Sequence, residues 1–211
     1  MKLICVAMEK ECSHLIDLFQ LQQIKDNIYA NNEIVLCITG IGKVNGAMNT
    51  QYCLCKYNID IVFNYGFAGS MTDKFKCGDL VMPKYILQHD FDLTCDGFKI
   101  GEVQGQKVSY IPNFKDVFSA SKEAVSYIKE ADYLLSGDKF MTERLEGFGD
   151  AVCDMEGYGV ARAANNSNIP VAILKLITDS CNKEGQEEYY KSINEYKEKM
   201  QETLYNFIKR N

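Results

Sequence analysis

The sequence predicts an α/β domain of three layers, a twisted, mixed and largely buried sheet flanked by helices. Apolar runs of strand length alternate with helix-period segments through most of the 211 residues. Several of those runs, KLICVAM, EIVLCIT and PVAILKLIT among them, are close to continuously apolar, the pattern of strands covered on both faces. With 46% hydrophobic residues, 3 prolines and no Pro-rich linker or low-complexity tract, residues 1–211 read as one domain with a full core.

Each element follows from its own pattern. Residues 2–8 form a first buried strand, and ECSHLIDLF after it is apolar at Leu15, Ile16, Leu18 and Phe19, a helical period. Residues 33–39 form a strand ending in Gly40-Ile41-Gly42, a tight turn into the helix VNGAMNTQYCLCKY. IDIVFNYG, residues 59–66, is a third strand, running into a turn with glycines at 66 and 69. GDLVMP and YILQHDFDL read as two further strands, and the turn-rich residues 96–112 as a hairpin or loop. FKDVFSASKEAVSYIKEA reads as a helix with Val117, Val125 and Ile128 on one side. YLLSGD and AVCDM are short strands, EGYGVARAANNS a helix and PVAILKLIT a strand. The last helix spaces Ile193, Tyr196, Met200, Leu204 and Phe207 by 3, 4, 4 and 3, one apolar face.

Composition removes several function classes. A net charge of −6 and no basic cluster argue against nucleic acid as a partner. Nine cysteines without a C-x-x-C, and only two histidines, predict reduced core thiols rather than a metal centre. The odd cysteine count and the lack of a signal peptide point to the cytoplasm. The N-terminal MKLICVAM is too short to span a membrane, and no membrane partner is expected.

Residues 153–180 hold the strongest functional signal. They place Glu156 at the start of a small-residue helix and Asp179 at the end of an apolar strand. Carboxylates at such junctions are costly unless bonded, paired or shifted in pKa, and strand carboxyl ends are where open α/β sheets bind ligands. Glu9 and Glu11 follow the first strand, where a helix start favours acids in any case, and only one of the two is expected to enter a site. The run from Gly40 to Gly46 has the wrong spacing for a dinucleotide fingerprint, and Lys43 is followed by Val, so a plain turn is the better reading. His89, Asp90 and Asp92 are a weak metal pattern, better read as a structural or interface strand. Lys175 inside AILKLIT reads as a side chain snorkelling from a sheet end. Phe140 and Met141, after SGDK, would make a stacking platform if they adjoin a ligand.

Taken in order, AMEKE, TGIGKVNGA, NYGFAGS, QHDFDLT, SGDKF, DMEG and LITD resemble the 5′-methylthioadenosine/S-adenosylhomocysteine nucleosidases of the nucleoside phosphorylase superfamily. The resemblance covers essentially the whole chain. It implies a nucleoside-phosphorylase-like fold, a homodimer, a small purine nucleoside as substrate and no cofactor. By position, Glu11 matches the acid that activates the attacking water and Asp179 the residue that protonates the purine at N7. Glu156 matches the acid that binds the ribose hydroxyls, with Met155 beneath the sugar. Phe140 matches the aromatic stacked on adenine, and the Met141 backbone would bond the base edge. Tyr189 matches an aromatic that closes the site, and Gly66 joins the substrate-binding set.

These residue types suit cleavage of an N-glycosidic bond, which leaves a cation-like ribosyl centre and an anionic purine. Phosphorolytic relatives hold phosphate with arginines in the first half of the chain; here the arginines are Arg144, Arg162 and Arg210 alone. Water is therefore the expected nucleophile. Phe67 departs from the family, standing where these relatives usually carry a small polar residue. A phosphorylase and a non-catalytic nucleoside-binding protein are the competing readings.

Overall fold

The computed structural model describes residues 1–106, 108–114 and 128–210. Its strands are β1 (Lys2–Val6), β2 (Gln22–Lys25), β3 (Ile28–Ala30), β4 (Ile34–Ile38), β5 (Ile61–Ser70), β6 (Leu80–Gln88), β7 (Ile111–Pro112), β8 (Ile128–Ser136), β9 (Ala151–Asp154) and β10 (Val171–Asp179). The helices are α1 (Ser13–Leu18), α2 (Lys43–Lys56), α3 (Gly157–Asn166) and α4 (Gly185–Arg210), with a 3₁₀ turn at Glu9–Glu11.

All ten strands belong to one mixed sheet. At one end lies β5–β1–β4–β3–β2; at the other the ladder runs β5–β10–β6–β8–β9 and returns to β5. That end therefore closes on itself, so the predicted mixed sheet is part open and part barrel-like. The ten residues of β5 make this possible. One edge pairs with β1 from Ile61 to Asn64, then with β9 at Gly69 and Ser70. Between those stretches, among the described residues, β5 has no strand on that edge, a split of the kind where α/β sheets bind ligands.

Two apolar layers cover the sheet. Leu15 of α1 and Ile193, Met200, Leu204 and Phe207 of α4 bury against Ile4, Leu36, Phe63 and Leu174. The predicted α4 face is thus the packed one, with Tyr196 at its margin. Val160, Ala161 and Ala164 of α3 bury on the other face with Val35, Val62 and Ile173. α2 and α3 approach so closely that a Cβ at Gly159 would lie 2.1 Å from the Lys43 carbonyl oxygen. Gln201 of α4 accepts the His14 and Leu15 N–H groups at 2.9 and 3.1 Å, closing the start of α1, which has no side-chain cap of its own.

Four elements differ from the sequence reading. GDLVMP and YILQHDFDL are one strand, β6, which ends at Gln88. Pro83 is tolerated because β6 changes neighbour there, from β10 at Leu80 and Val81 to β7 at Tyr85 and Ile86. Ile128–Ala131, read as the end of a helix, begin β8, where pairing with β6 overrides helix-forming residues. The rest of that expected helix, residues 115–127, lies outside the described residues. The hairpin β2–β3 was not anticipated, since β2 is exposed throughout and has no alternation to read. β5 runs on to Ser70 through Gly66 and Gly69, where a turn was expected, while residues 97–106 and 108–110 are loop, one of the two readings given for that stretch.

Candidate active site

The three acids singled out from sequence line one cleft of about 460 Å³, together with Met8, Phe67, Phe140, Met141, Met155 and Tyr189. Each acid follows the carboxyl end of a strand: Glu11 follows β1, Glu156 follows β9, and Asp179 ends β10. They are buried, at 3%, 8% and 3% exposure, so each must be answered by its surroundings.

Glu11 fills the split between β1 and β9. Its Oε2 accepts the Ala7 and Met8 N–H groups at 2.7 and 2.9 Å, just past the end of β1. Its Oε1 accepts the Phe67 N–H at 3.2 Å, in the unpaired stretch of β5. One carboxylate thus satisfies three N–H groups that the sheet leaves over. Burial still pushes its pKa up, against the opposing charge of Lys175 and these bonds. Gly66 does not line the cleft; it backs Glu11, and a Cβ there would stand 2.7 Å from Oε1.

Asp179 is aimed by a bulge. The β10–β5 register slips between Ile177 and Asp179, which turns the last side chain of the strand. Its Oδ1 accepts the Cys181 N–H and its Oδ2 the Thr178 hydroxyl, both at 3.1 Å. Burial, stronger than these bonds, raises its pKa.

Glu156 stands at the N-cap position of α3, but its side chain turns away from the helix: its Oε1 accepts the Gly42 N–H at 2.9 Å. Gly40 and Gly42 both have positive φ, as the expected tight turn requires. Burial and the nearby Asp154 carboxylate push Glu156 up to about 7, with Lys175 opposing.

Lys175 does not snorkel. It is 1% exposed and pairs with Asp154 at 2.8 Å. Asp154 also accepts the Ser136 hydroxyl at 2.5 Å and the Gly157 N–H at 2.8 Å. Sequence reasoning passed over this buried unit, which supports the floor of the cleft. Its one signal was a lysine inside an apolar strand, and a partner 21 residues away leaves no periodic trace.

The remaining candidates form the wall and rim. Tyr189, at the start of α4, meets Phe67 and Phe140 edge to face, each at 5.9 Å between ring centres. Glu188 beside it accepts the Ser180 N–H at 2.7 Å, tying α4 to the loop after Asp179. Phe140 is 40% exposed at the rim, and Met141 is buried. His89 and Asp90 lie past the end of β6, in a turn rather than a strand. Asp90 pairs with Lys43, whose N–H also donates to Asp138 at 2.8 Å, so Lys43 is committed to its own turn. Among the described residues no group of three or more His, Cys, Asp or Glu side chains could hold a metal ion, and no helix is long and apolar enough to cross a membrane.

A cleft with three buried acids at a split in a mixed α/β sheet defines an enzyme for a small polar molecule. The phosphorylase superfamily model matches residues 4–209. The 5′-methylthioadenosine/S-adenosylhomocysteine nucleosidase of Shewanella oneidensis is 30% identical over 198 residues, covering 85% of this chain and 84% of that protein. The protein of the same name from Shewanella pealeana is 29% identical, over 85% and 86%. The Streptococcus pneumoniae nucleosidase, solved with the transition-state inhibitor MT-ImmA, is 25% identical and superposes with a TM-score of 0.86, covering 100% of this chain and 99% of that one. Its complex with 8-aminoadenine matches equally, with a TM-score of 0.86. The chain belongs to the phosphorylase superfamily and, within it, to the 5′-methylthioadenosine/S-adenosylhomocysteine nucleosidases.

Proposed function

We propose that this protein is an N-ribosyl hydrolase that releases adenine from a 5′-modified adenosine, methylthioadenosine or S-adenosylhomocysteine. The observation that carries this reading is the set of three buried acids on one cleft, each in a different electrostatic setting. Asp179, whose pKa burial raises, is the group placed to give a proton to purine N7 as the base leaves. Its carboxylate then accepts from the 6-amino group. Glu156 accepts from the ribose hydroxyls and fixes the sugar over Met155. Glu11, held by three N–H groups, takes the proton of the attacking water. Phe140 stacks on the base, the Met141 backbone bonds its edge, and Tyr189 closes the site.

Water is favoured over phosphate by the donors present. The N–H groups at the Glu11 end already serve a carboxylate, so a phosphate dianion would meet negative charge there. Lys43 is paired with Asp90, Arg144 with Asp73, and Arg162 donates to the Val108 carbonyl. Phe67 and Tyr189 wall the cleft beside Glu11 with carbon, which suits an apolar 5′ substituent. A homodimer completes the reading, supported by Ile41, Val44 and Met48 exposed around the start of α2, Ile41 also lining the cleft, and the nine free cysteines suit a cytoplasmic location.

The test is base release from methylthioadenosine with and without phosphate, with the sugar product identified. Free adenine and methylthioribose without phosphate are expected. Product formed only with phosphate, as the sugar 1-phosphate, would reassign the chain to phosphorolysis.

A further inference from the structure

The base end of the cleft carries a pair of thiols that the hydrolysis does not use. Cys153, on β9, lines the cleft, and Cys181, two residues past Asp179, lies behind it. Their sulfurs are 3.3 Å apart, and both residues are buried. Gly69 of β5 packs over them: a Cβ there would stand 2.4 Å from the Cys181 sulfur, 3.2 Å from the Cys153 sulfur and 2.7 Å from Asp179 Oδ1. The two thiols and the carboxylate therefore share one small volume. Cys181 has φ +47°, a left-handed conformation costly for a residue with a side chain, and in it the Cys181 N–H points at Asp179 Oδ1.

We propose that Cys153 and Cys181 form an oxidisable dithiol, closed to a disulfide by a peroxide that enters the empty cleft, and that closure disables Asp179. The inference rests on the proposed role of Asp179, although the disulfide itself does not. The Cys153 sulfur attacks one peroxide oxygen and the O–O bond breaks, giving a sulfenic acid and water. The Cys181 sulfur then attacks the sulfenic sulfur, the S–O bond breaks and a second water leaves. Two thiols and one hydrogen peroxide become one disulfide and two waters; the sulfurs lose the two electrons that the peroxide oxygens gain.

Closure has a mechanical consequence. A disulfide needs its sulfurs at about 2.05 Å, so this pair must draw together by roughly 1.2 Å from its 3.3 Å separation. Gly69 leaves little room on its side, and Cys181 moves with the N–H that holds Oδ1. The contact with Cys181, together with burial, pushes the Cys153 thiol well above its ordinary range, so the first step is slow. The second step is fast, because the resolving thiol already touches its target. The product is then the reversible disulfide rather than the higher sulfur acids.

The experiment treats the reduced, full-length protein with hydrogen peroxide. It follows adenine release alongside the peptide pair joined through residues 153 and 181, identified by mass spectrometry as lighter by two hydrogens. The joined pair should build up as kcat falls by about tenfold or more, the scale of one lost bond to a carboxyl group. Dithiothreitol should restore both, and saturating adenine should slow both. Cys153→Ala should keep its own starting rate through the same treatment, while Cys181→Ala, which lacks the resolving thiol, should form no joined peptide and lose rate in a way that dithiothreitol does not fully restore. No joined peptide, or a joined peptide with kcat unchanged, overturns the proposal, as does equal inactivation of both variants. If the reduced protein releases no adenine, the nucleosidase reading fails instead, and the peptide yield still decides whether the dithiol closes.

Discussion

Asp154 and Asp179 close strands β9 and β10, are both buried, and differ in what answers them. Asp154 has a lysine at 2.8 Å, a hydroxyl at 2.5 Å and a backbone N–H at 2.8 Å. Asp179 has the Thr178 hydroxyl and the Cys181 N–H, both at 3.1 Å, and the Cys181 thiol beside it, and among the described residues no ion pair is found for it. The first aspartate is neutralised where it stands and serves as support. The second is left with its pKa raised, which is what a proton donor needs. Strand position brings a carboxylate to the floor of the site, and the counter-charge decides what it does there.

The sharpest way to break the contrast is Asp179→Asn. It should lower kcat by about 10²–10⁴-fold, the range of general acid catalysis, while leaving the thermal midpoint near its parent value. Near-normal turnover would remove Asp179 from the proposed chemistry. Lys175→Met tests the other aspartate. With its partner gone, Asp154 is a lone buried charge, and stability should drop by about 3–5 kcal/mol in urea unfolding. A variant as stable as the parent would show that the pair does not hold the floor.

Glu156 lies between the two cases and sharpens the comparison through pH. Its folded pKa, about 7, is raised from 4.5 by burial and by Asp154. Its contribution to stability is thus fully present below about pH 4.5 and is lost as pH rises through about 7, by as much as about 3 kcal/mol. Glu156→Gln should flatten that part of the stability profile of the ligand-free protein. An unchanged slope between these pH values would mean that Glu156 is already answered, as Asp154 is.

Much of this was legible because apolar runs report burial directly. β1, β4, β5 and β10 appear at or near their expected places, as does the packed face of α4. Glu156 and Asp179 stood out as acids at strand and helix junctions, while Glu11 was told from Glu9 by the resemblance of the ordered motifs to the family. The buried unit was hidden for a physical reason. Ser136 and Asp154 face each other on paired strands and Lys175 reaches Asp154 from β10, which among the described residues does not pair with β9, and no local period records that. The start of β8 was misread because IKEA suits a helix until β6 offers it a ladder. The thiol pair had no signal at all: Cys153 and Cys181 are 28 residues apart, and only the fold brings their sulfurs together.

The place of β10 between β5 and β6 also bears on how the protein is made. β5 and β6 leave the ribosome well before residues 171–179, yet the strand that joins them is the last of the ten to be synthesised. Until it arrives, the nascent chain carries unpaired strand edges beside apolar faces, and Asp154 has no counter-charge. Insertion of one strand then seals the edges, delivers Lys175 to Asp154 and brings Asp179 to the cleft. The longest exposure to aggregation and the first moment of competence are thus set by the same nine residues.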